Sequence, residues 1–405
     1  MQKGSYKSGM KLINIIALLL VFYGLHGYAN DQTSITSIDS LSYAQFTAGD
    51  WDGLIETAEL AKRNNIDFKW LQQRVGYAYF IKKQFYKSML HYEKALDYDP
   101  ADEISRLYLY YNGQNTGRTA FARFHASRLS ESNLKEIGEK RLRITDAIDL
   151  EYSFKMPDNP DIHQAYYMRL GLNSQIGYKL SLYQSFSTFN QNTDTTQTRQ
   201  NEYFVLLGWN PTAKTNISIG YHSVGSKVIY GSDSFYYPGN IFYGKITQQL
   251  NRFDLALSGA SFDNDWLGSK QLGIHLGINS AGRNNINLTT SYYRIIETGL
   301  NYSTGQNYSY GRNVIKQTAG IMLFNRLWTE AYVNLGNLNQ FIDNNGLYFY
   351  NSPDPTIFRS GISGFWYIIK PLTIYLNYNY DTKELLTTDM TYNQHSITGG
   401  LIWKI

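Results

Sequence analysis

The sequence predicts a multidomain α + β chain: a helical N-terminal part, then an antiparallel transmembrane β-barrel of about fourteen strands. Three observations predict it. A period-two hydrophobic alternation recurs from residue 141 to the last residue, an excess of tyrosine accompanies few charges, and the N-terminal block has an exported start followed by helical periodicity.

The alternation is clearest over Gln271–Tyr293. Leu272, Ile274, Leu276 and Ile278 fall on one face, with Gly273, His275, Gly277 and Asn279 on the other. After the polar turn 280–285, Ile286, Leu288, Thr290 and Tyr292 oppose Asn287, Thr289, Ser291 and Tyr293. Side chains alternate in this way only along an extended strand, with core or lipid on one side and water on the other. The same pattern closes the chain, where Ile397, Gly399, Leu401, Trp403 and Ile405 oppose Thr398, Gly400, Ile402 and Lys404. Ile397, Leu401, Trp403 and Ile405 are therefore the expected lipid face of the barrel-closing strand. A sheet placed in lipid must close, because open edges leave backbone groups unpaired.

Composition agrees. Of 405 residues 17% are charged and 16% aromatic, with 36 Tyr, 20 Phe and 7 Trp, as expected where amphipathic rings form girdles at two membrane interfaces. The absence of Cys excludes disulfides and thiolate metal sites. The formal charge is +4; without Lys3, Lys7 and Lys11 it falls to +1, which gives no reason to expect a nucleic-acid partner.

Residues 1–29 read as a signal peptide: a basic start, an apolar stretch from Leu12 to Leu25, then Gly27-Tyr28-Ala29 before the expected cleavage site. No Cys follows, so no lipid anchor is expected. Export together with a barrel implies a bacterial outer membrane, with its lipid and the barrel-assembly machinery as partners.

Residues 30–140 form the expected periplasmic helical domain. Between Phe68 and Pro100, Val75, Gly76, Tyr79, Ser88, Tyr92, Ala95 and Pro100 occupy positions at which small residues let two helices approach and a proline closes the unit. This segment resembles the tetratricopeptide family, although Trp70 sits two residues before the family's first aromatic position. Gly49 with Ala61, and Gly117 with Ala122, mark degenerate flanking units, giving about three helix pairs. The resemblance implies a concave face that receives a periplasmic protein or polymer client. Residues 130–140 are a charged helical connector.

Residues 141–405 are the expected barrel. Strands are expected near 148–155, 163–173, 178–190, 201–210, 215–224, 240–250, 251–263, 269–280, 285–296, 313–325, 327–341, 355–367, 371–383 and 391–404. The even connections are short, from Gln175–Tyr178 to Ile369–Leu372. Longer odd ones at Gln191–Asn201, Gly225–Asn240, Glu297–Arg312 and Asn339–Pro355 read as outer loops. Inward positions hold Asp149, Glu151, Arg169, Lys179, Lys245, Asp254, His275 and Glu330, a balanced set that reads as a polar lumen or as an ion-paired filling.

No catalytic, cofactor or metal site is expected. His222 with Ser223 or Ser226 lacks an oriented third group, and Asp263 with Asp265 beside Trp266 reads as a solvated loop. The last strand resembles the signal read by the barrel-assembly machinery, although it ends in Ile405 rather than an aromatic. Helical repeats joined to a barrel resemble exopolysaccharide exporters and surface lipoprotein assembly modifiers. The stretch from Gly220-Tyr221-His222 to Tyr236-Tyr237-Pro238-Gly239-Asn240 is similar to the YaiO-type barrel domain. These resemblances imply export or surface display of a polysaccharide or lipoprotein. A diffusion porin and an adhesive barrel with binding outer loops are the alternatives.

Overall fold

The computed structural model describes residues 34–264, 267–280, 285–301, 305–324, 326–352, 354–385, 388 and 390–405. The expected signal peptide lies outside these residues.

Among the described residues seven helices come first: α1 (Ile35–Ala48), α2 (Trp51–Arg63), α3 (Lys69–Ile81), α4 (Phe85–Tyr98), α5 (Glu103–Asn115), α6 (Thr119–Ala126) and α7 (Glu131–Glu136). The chain divides into two compact units, one ending at Val75 and the other beginning at Gly76. In the first unit, α1 opens on a reciprocal cap in which Ser37 N–H donates to Ser34 Oγ and Ser34 N–H to Ser37 Oγ. It closes at Gly49, whose φ of +71° lets its N–H return to the last carbonyls of the helix. Ile38, Leu54 and Ala61 form the buried seam of this unit.

In the second unit, Tyr86, Met89, Tyr92, Leu109 and Phe121 form the core of the helices from α4 to α6. The signature residues meet there. Gly76 lies flush against the Tyr92 ring, where a Cβ would come within 2.9 Å, and Tyr92 stacks on Tyr108 at 4.9 Å. Buried Ser88 donates to the Gly76 carbonyl at 2.8 Å and accepts from Asn112 at 2.9 Å. Tyr79 stacks on His91, Ala95 is fully buried, and Pro100 stands before α5. The flanking glycines differ from expectation. Gly49 and Gly117 end helices in the left-handed region, whereas the close approach in the next pair is made by Gly113, where a Cβ would lie 2.9 Å from that of Ala122. A turn glycine and a packing glycine look alike in sequence.

The strands are β1 (Leu142–Pro157), β2 (Ile162–Ile176), β3 (Leu180–Thr193), β4 (Thr196–Trp209), β5 (Thr215–Tyr230), β6 (Asp233–Leu250), β7 (Phe253–Asp263), β8 (Leu267–Asn279), β9 (Asn287–Asn301), β10 (Gln306–Leu323), β11 (Leu327–Leu335), β12 (Phe341–Asp343), β13 (Tyr348–Tyr350), β14 (Thr356–Ile369), β15 (Leu372–Glu384) and β16 (Thr391–Lys404). Fourteen of them form one closed antiparallel barrel, and β12 with β13 makes a separate hairpin. Closure is by β1 against β16, in unbroken register from Ala147↔Lys404 to Pro157↔Gln394. No edge remains.

The faces follow the alternation. Leu272 is 69% exposed on the outside of β8, while Gln271 behind it is buried. Leu170, Phe186, Ile219, Phe242, Leu257, Leu376 and Ile397 continue the apolar exterior around the wall. Such a surface is stable against acyl chains and not against water. Among the described residues no helix is long and apolar enough to cross a membrane.

Two expectations change. The stretches 191–201, 225–240 and 297–312 are not loops for the most part, because β3–β4, β5–β6 and β9–β10 continue as paired ladders, as in Tyr230↔Asp233 and Gln306↔Asn301. Beyond the lipid both faces are wet, so hydrophobic alternation stops while backbone pairing does not. The strand expected at 327–341 ends at Leu335. There Gly336 takes φ +115°, a conformation that only glycine adopts at ease, and any side chain would collide with the Asn313 carbonyl.

Candidate functional site: a segment folded into the lumen

From Gly336 the chain turns inward, and the described residues of 336–355 occupy the barrel interior. The N–H of Leu338 donates to the Thr356 carbonyl and that of Gln340 to the Tyr350 carbonyl. The hairpin then pairs Phe341↔Tyr350, Ile342↔Phe349 and Asp343↔Tyr348. Its tip is one tight turn, Asn344–Gly346, with all three residues at positive φ.

One side of the hairpin is apolar. Phe341 packs edge-on to Tyr293 at 4.9 Å, with Ile295, Val314 and Leu338 around it. Ile342 lies among Val224, Ile241, Tyr243 and Phe262, and Phe349 meets Phe262 at 4.6 Å. Gln271 completes the backbone of Ile342 as a missing strand would, donating to its carbonyl at 2.7 Å and accepting from its N–H at 3.0 Å.

The other side is polar. The Tyr348 hydroxyl donates to Glu151 at 3.0 Å, and Glu151 also accepts from Tyr375 at 2.6 Å and Arg169 at 2.9 Å. Arg169 stands over the Tyr348 ring and reaches Asp149 at 3.3 Å. Arg359 lies over Tyr350 and pairs with Asp381 at 3.3 Å. Asn351 donates to Gln200 at 2.8 Å, and Lys383 to Ser352 at 2.7 Å and to the Asp354 carbonyl at 3.0 Å. Near the tip, Lys316 donates to both Asp343 oxygens at 2.9 and 2.7 Å, and Lys245 to Asn345 at 3.2 Å. His222 is 1% exposed; its Nδ1 faces the Gly346 carbonyl and its Nε2 faces Glu202, each at 3.0 Å.

Asp149, Glu151, Arg169 and Lys245 thus stand on the wall around the hairpin. His275 also points inward, held between Ser258 and Ser291, and Glu330 accepts from the Trp328 indole. Asp254 lies at the barrel end that carries the helices, paired with Arg118 at 2.8 Å. Lys179 is a correction: β3 begins only at Leu180, so Lys179 sits in the preceding turn, over the Phe124 ring of α6. Sequence reasoning missed Lys155, Glu202, Lys316, Arg359, Asp381 and Lys383, although the parity of their strands would have placed them inward. Both ring nitrogens of His222 are engaged away from Ser223 and Ser226, and Ser226 donates to Gln200. Asp265 and Trp266 lie outside the described residues, and among those described no metal-binding cluster occurs.

The helices of the second unit attach to short turns at one barrel end. Besides Arg118–Asp254, Lys214 pairs with Glu93 at 2.9 Å, Asn285 donates to the Asn115 carbonyl at 3.1 Å, and Tyr178 packs on the Tyr110, Ala122 and Ala126 cluster.

These features define a transmembrane β-barrel closed by its own inserted segment. No protein-family model matches the chain, and no curated protein matches it. Among solved structures it is similar to the CymD monoaromatic hydrocarbon channel, with 11% identity over 69% of this chain and 92% of that one, at a TM-score of 0.43. It is also similar to the Pseudomonas putida toluene transporter TodX, with 8% identity, 71% and 93% coverage and a TM-score of 0.42. A bacterial polysaccharide outer membrane secretin aligns with 10% identity over 65% of this chain and 100% of that one, at 0.39. At such identities the likeness is one of fold alone.

Proposed function

We propose that the protein is a bacterial outer-membrane conduit held shut by residues 336–355, and that it serves export or surface display of a polysaccharide or lipoprotein. In this reading the tetratricopeptide-like helices lie in the periplasm and receive the client at the mouth to which they are attached. One observation carries the proposal: the segment filling the lumen is held by contacts that water or a solute can replace. Hydrogen bonds of this kind contribute only about 0.5–1.5 kcal/mol each over their hydrated state, and about 1.5–3 kcal/mol where one partner is charged. The apolar contacts of Phe341 and Ile342, worth roughly 1.5–3 kcal/mol each, keep the resting state closed. The seam between β1 and β16 is fully paired, which supports passage through the lumen and not through the wall.

The test is a covalent staple. A Cβ on Gly346 would lie 3.1 Å from that of Tyr243, a few tenths of an ångström inside the usual disulfide spacing, so a small shift of the turn allows the bond, and the chain has no Cys of its own. Gly346→Cys with Tyr243→Cys should be silent in planar bilayers and inactive in delivery when oxidised, and active after reduction. Replacing residues 340–350 by a short glycine linker should give steady conductance. Equal behaviour of the oxidised and reduced protein would remove the segment from any gating role. A passive diffusion porin predicts steady conductance from the unaltered protein.

A further inference from the structure

We propose that Asp343 stands in for a carboxylate of the transported solute, so that the lumen is a site for a carboxylate-bearing, polyhydroxylated ligand such as an acidic sugar chain. This rests on the reading of residues 336–355 as a displaceable gate.

The inserted segment carries two acids, Asp343 and Asp354, and no base. Its buried carboxylate at Asp343 is gripped through both oxygens by Lys316 from β10. Lys245 from β6 and Arg359 from β14 act on the same charge, so cations converge on it from three parts of the wall. Among the described residues, the hydrogen-bond and ion-pair partners of Lys245, Lys316 and Lys383 all lie on the segment. Two of the other inward cations keep wall partners without it, Arg169 with Glu151 and Arg359 with Asp381. Withdrawal of the segment therefore uncovers three unpaired lysines in a lumen where Asp149 and Glu151 are already engaged by Arg169, Asp381 by Arg359 and Glu202 by His222. The balanced charge of the whole sequence hides this, because the segment cancels the wall.

Unpaired buried charge is costly, and a lysine separated from its carboxylate recovers most if another carboxylate takes its place. The surroundings suit a hydroxylated ligand: Ser258, Ser291, Tyr243, Tyr332 and Gln271 offer hydroxyls, an amide and ring faces on the same inner wall. A solute carboxylate seated on Lys316 competes directly with Asp343, so the cargo itself favours opening.

The experiment uses the full chain. Asp343→Asn leaves Lys316 without its counter-charge and should raise open-state occupancy in planar bilayers on the order of a hundredfold. The open pore should prefer anions, as read from its reversal potential in a salt gradient, and adding Lys245→Gln, Lys316→Gln and Lys383→Gln should abolish that preference. Equilibrium dialysis of the detergent-solubilised Asp343→Asn protein should retain alginate oligomers and pass maltohexaose. Pyrophosphate retained more tightly than alginate would reassign the site to phosphates and overturn the proposal. A pore that opens yet prefers cations refutes the proposal and leaves the gate intact. Where no variant opens, the gate fails, and dialysis still decides whether the site binds carboxylates. If Asp343→Asn does not insert, Asp343→Ser takes its place.

Discussion

The two sides of the luminal hairpin differ as the two faces of the barrel wall do, but in reverse order. Against β5–β10 it presents Leu338, Phe341, Ile342 and Phe349 to apolar clusters, with Asp343 held by Lys316, whereas against β1, β2 and β14–β16 it presents Tyr348 and Tyr350 to ion pairs and Asp354 to the Tyr392 hydroxyl. Loss of a buried aromatic ring costs about 3–5 kcal/mol and apolar contact is tolerant of position, whereas a hydrogen bond to a charged group contributes about 1.5–3 kcal/mol and is specific in direction. One side therefore supplies the closing free energy and the other fixes the register in which the hairpin closes.

That division can be broken. Phe341→Ala should have the largest effect, destabilising the closed arrangement by about 3–5 kcal/mol. Bilayer conductance and protease cleavage within 336–355 would both rise. Tyr348→Phe removes one hydrogen bond to Glu151, which keeps Tyr375 and Arg169, and should cost about 1.5–3 kcal/mol. If Tyr348→Phe opens the barrel as far as Phe341→Ala does, the polar side closes the gate and the division is wrong.

The smallest effect on conductance lies away from both sides and serves as a control. His125 in α6 is buried against Phe121 at 4.6 Å, and both its ring nitrogens lack hydrogen-bond partners. Burial, with repulsion from Arg106, Arg128 and Lys214, pulls its pKa from 6.5 down to about 3. The folded protein thus keeps the ring neutral while the unfolded chain takes up a proton below 6.5. The contribution is complete above that value and is lost as pH falls toward 3, by up to about 1.4 kcal/mol per pH unit. Denaturant titration followed by the helix signal in circular dichroism checks it. His125→Leu should flatten the slope and leave conductance unchanged.

The legible parts were those written in local periodicity. The inward placement of Asp149, Glu151, Arg169, Lys245 and His275 follows from strand parity, as does the outward placement of Leu272 and Ile397. Lys179 failed because parity does not say where a strand begins. The packing role of Gly113 was missed because a small residue in a helix shows no partner until the neighbouring helix is in place.

Alternation thus determined, from the sequence by itself, that the chain closes into a barrel, roughly how many strands it has and which residues face lipid, since each strand's side chains must divide between two solvents. Where residues 336–355 go was decided only by the tertiary structure. Their anchors lie far off in sequence, with Gln271 meeting a residue 71 positions away and Glu151 one 197 positions away. A segment with apolar and polar residues mixed along it could have lain over the mouth as easily. It goes inside because the closed wall brings a greasy patch on β5–β10 and the ion pairs of Arg169 and Arg359 to opposite sides of one narrow space.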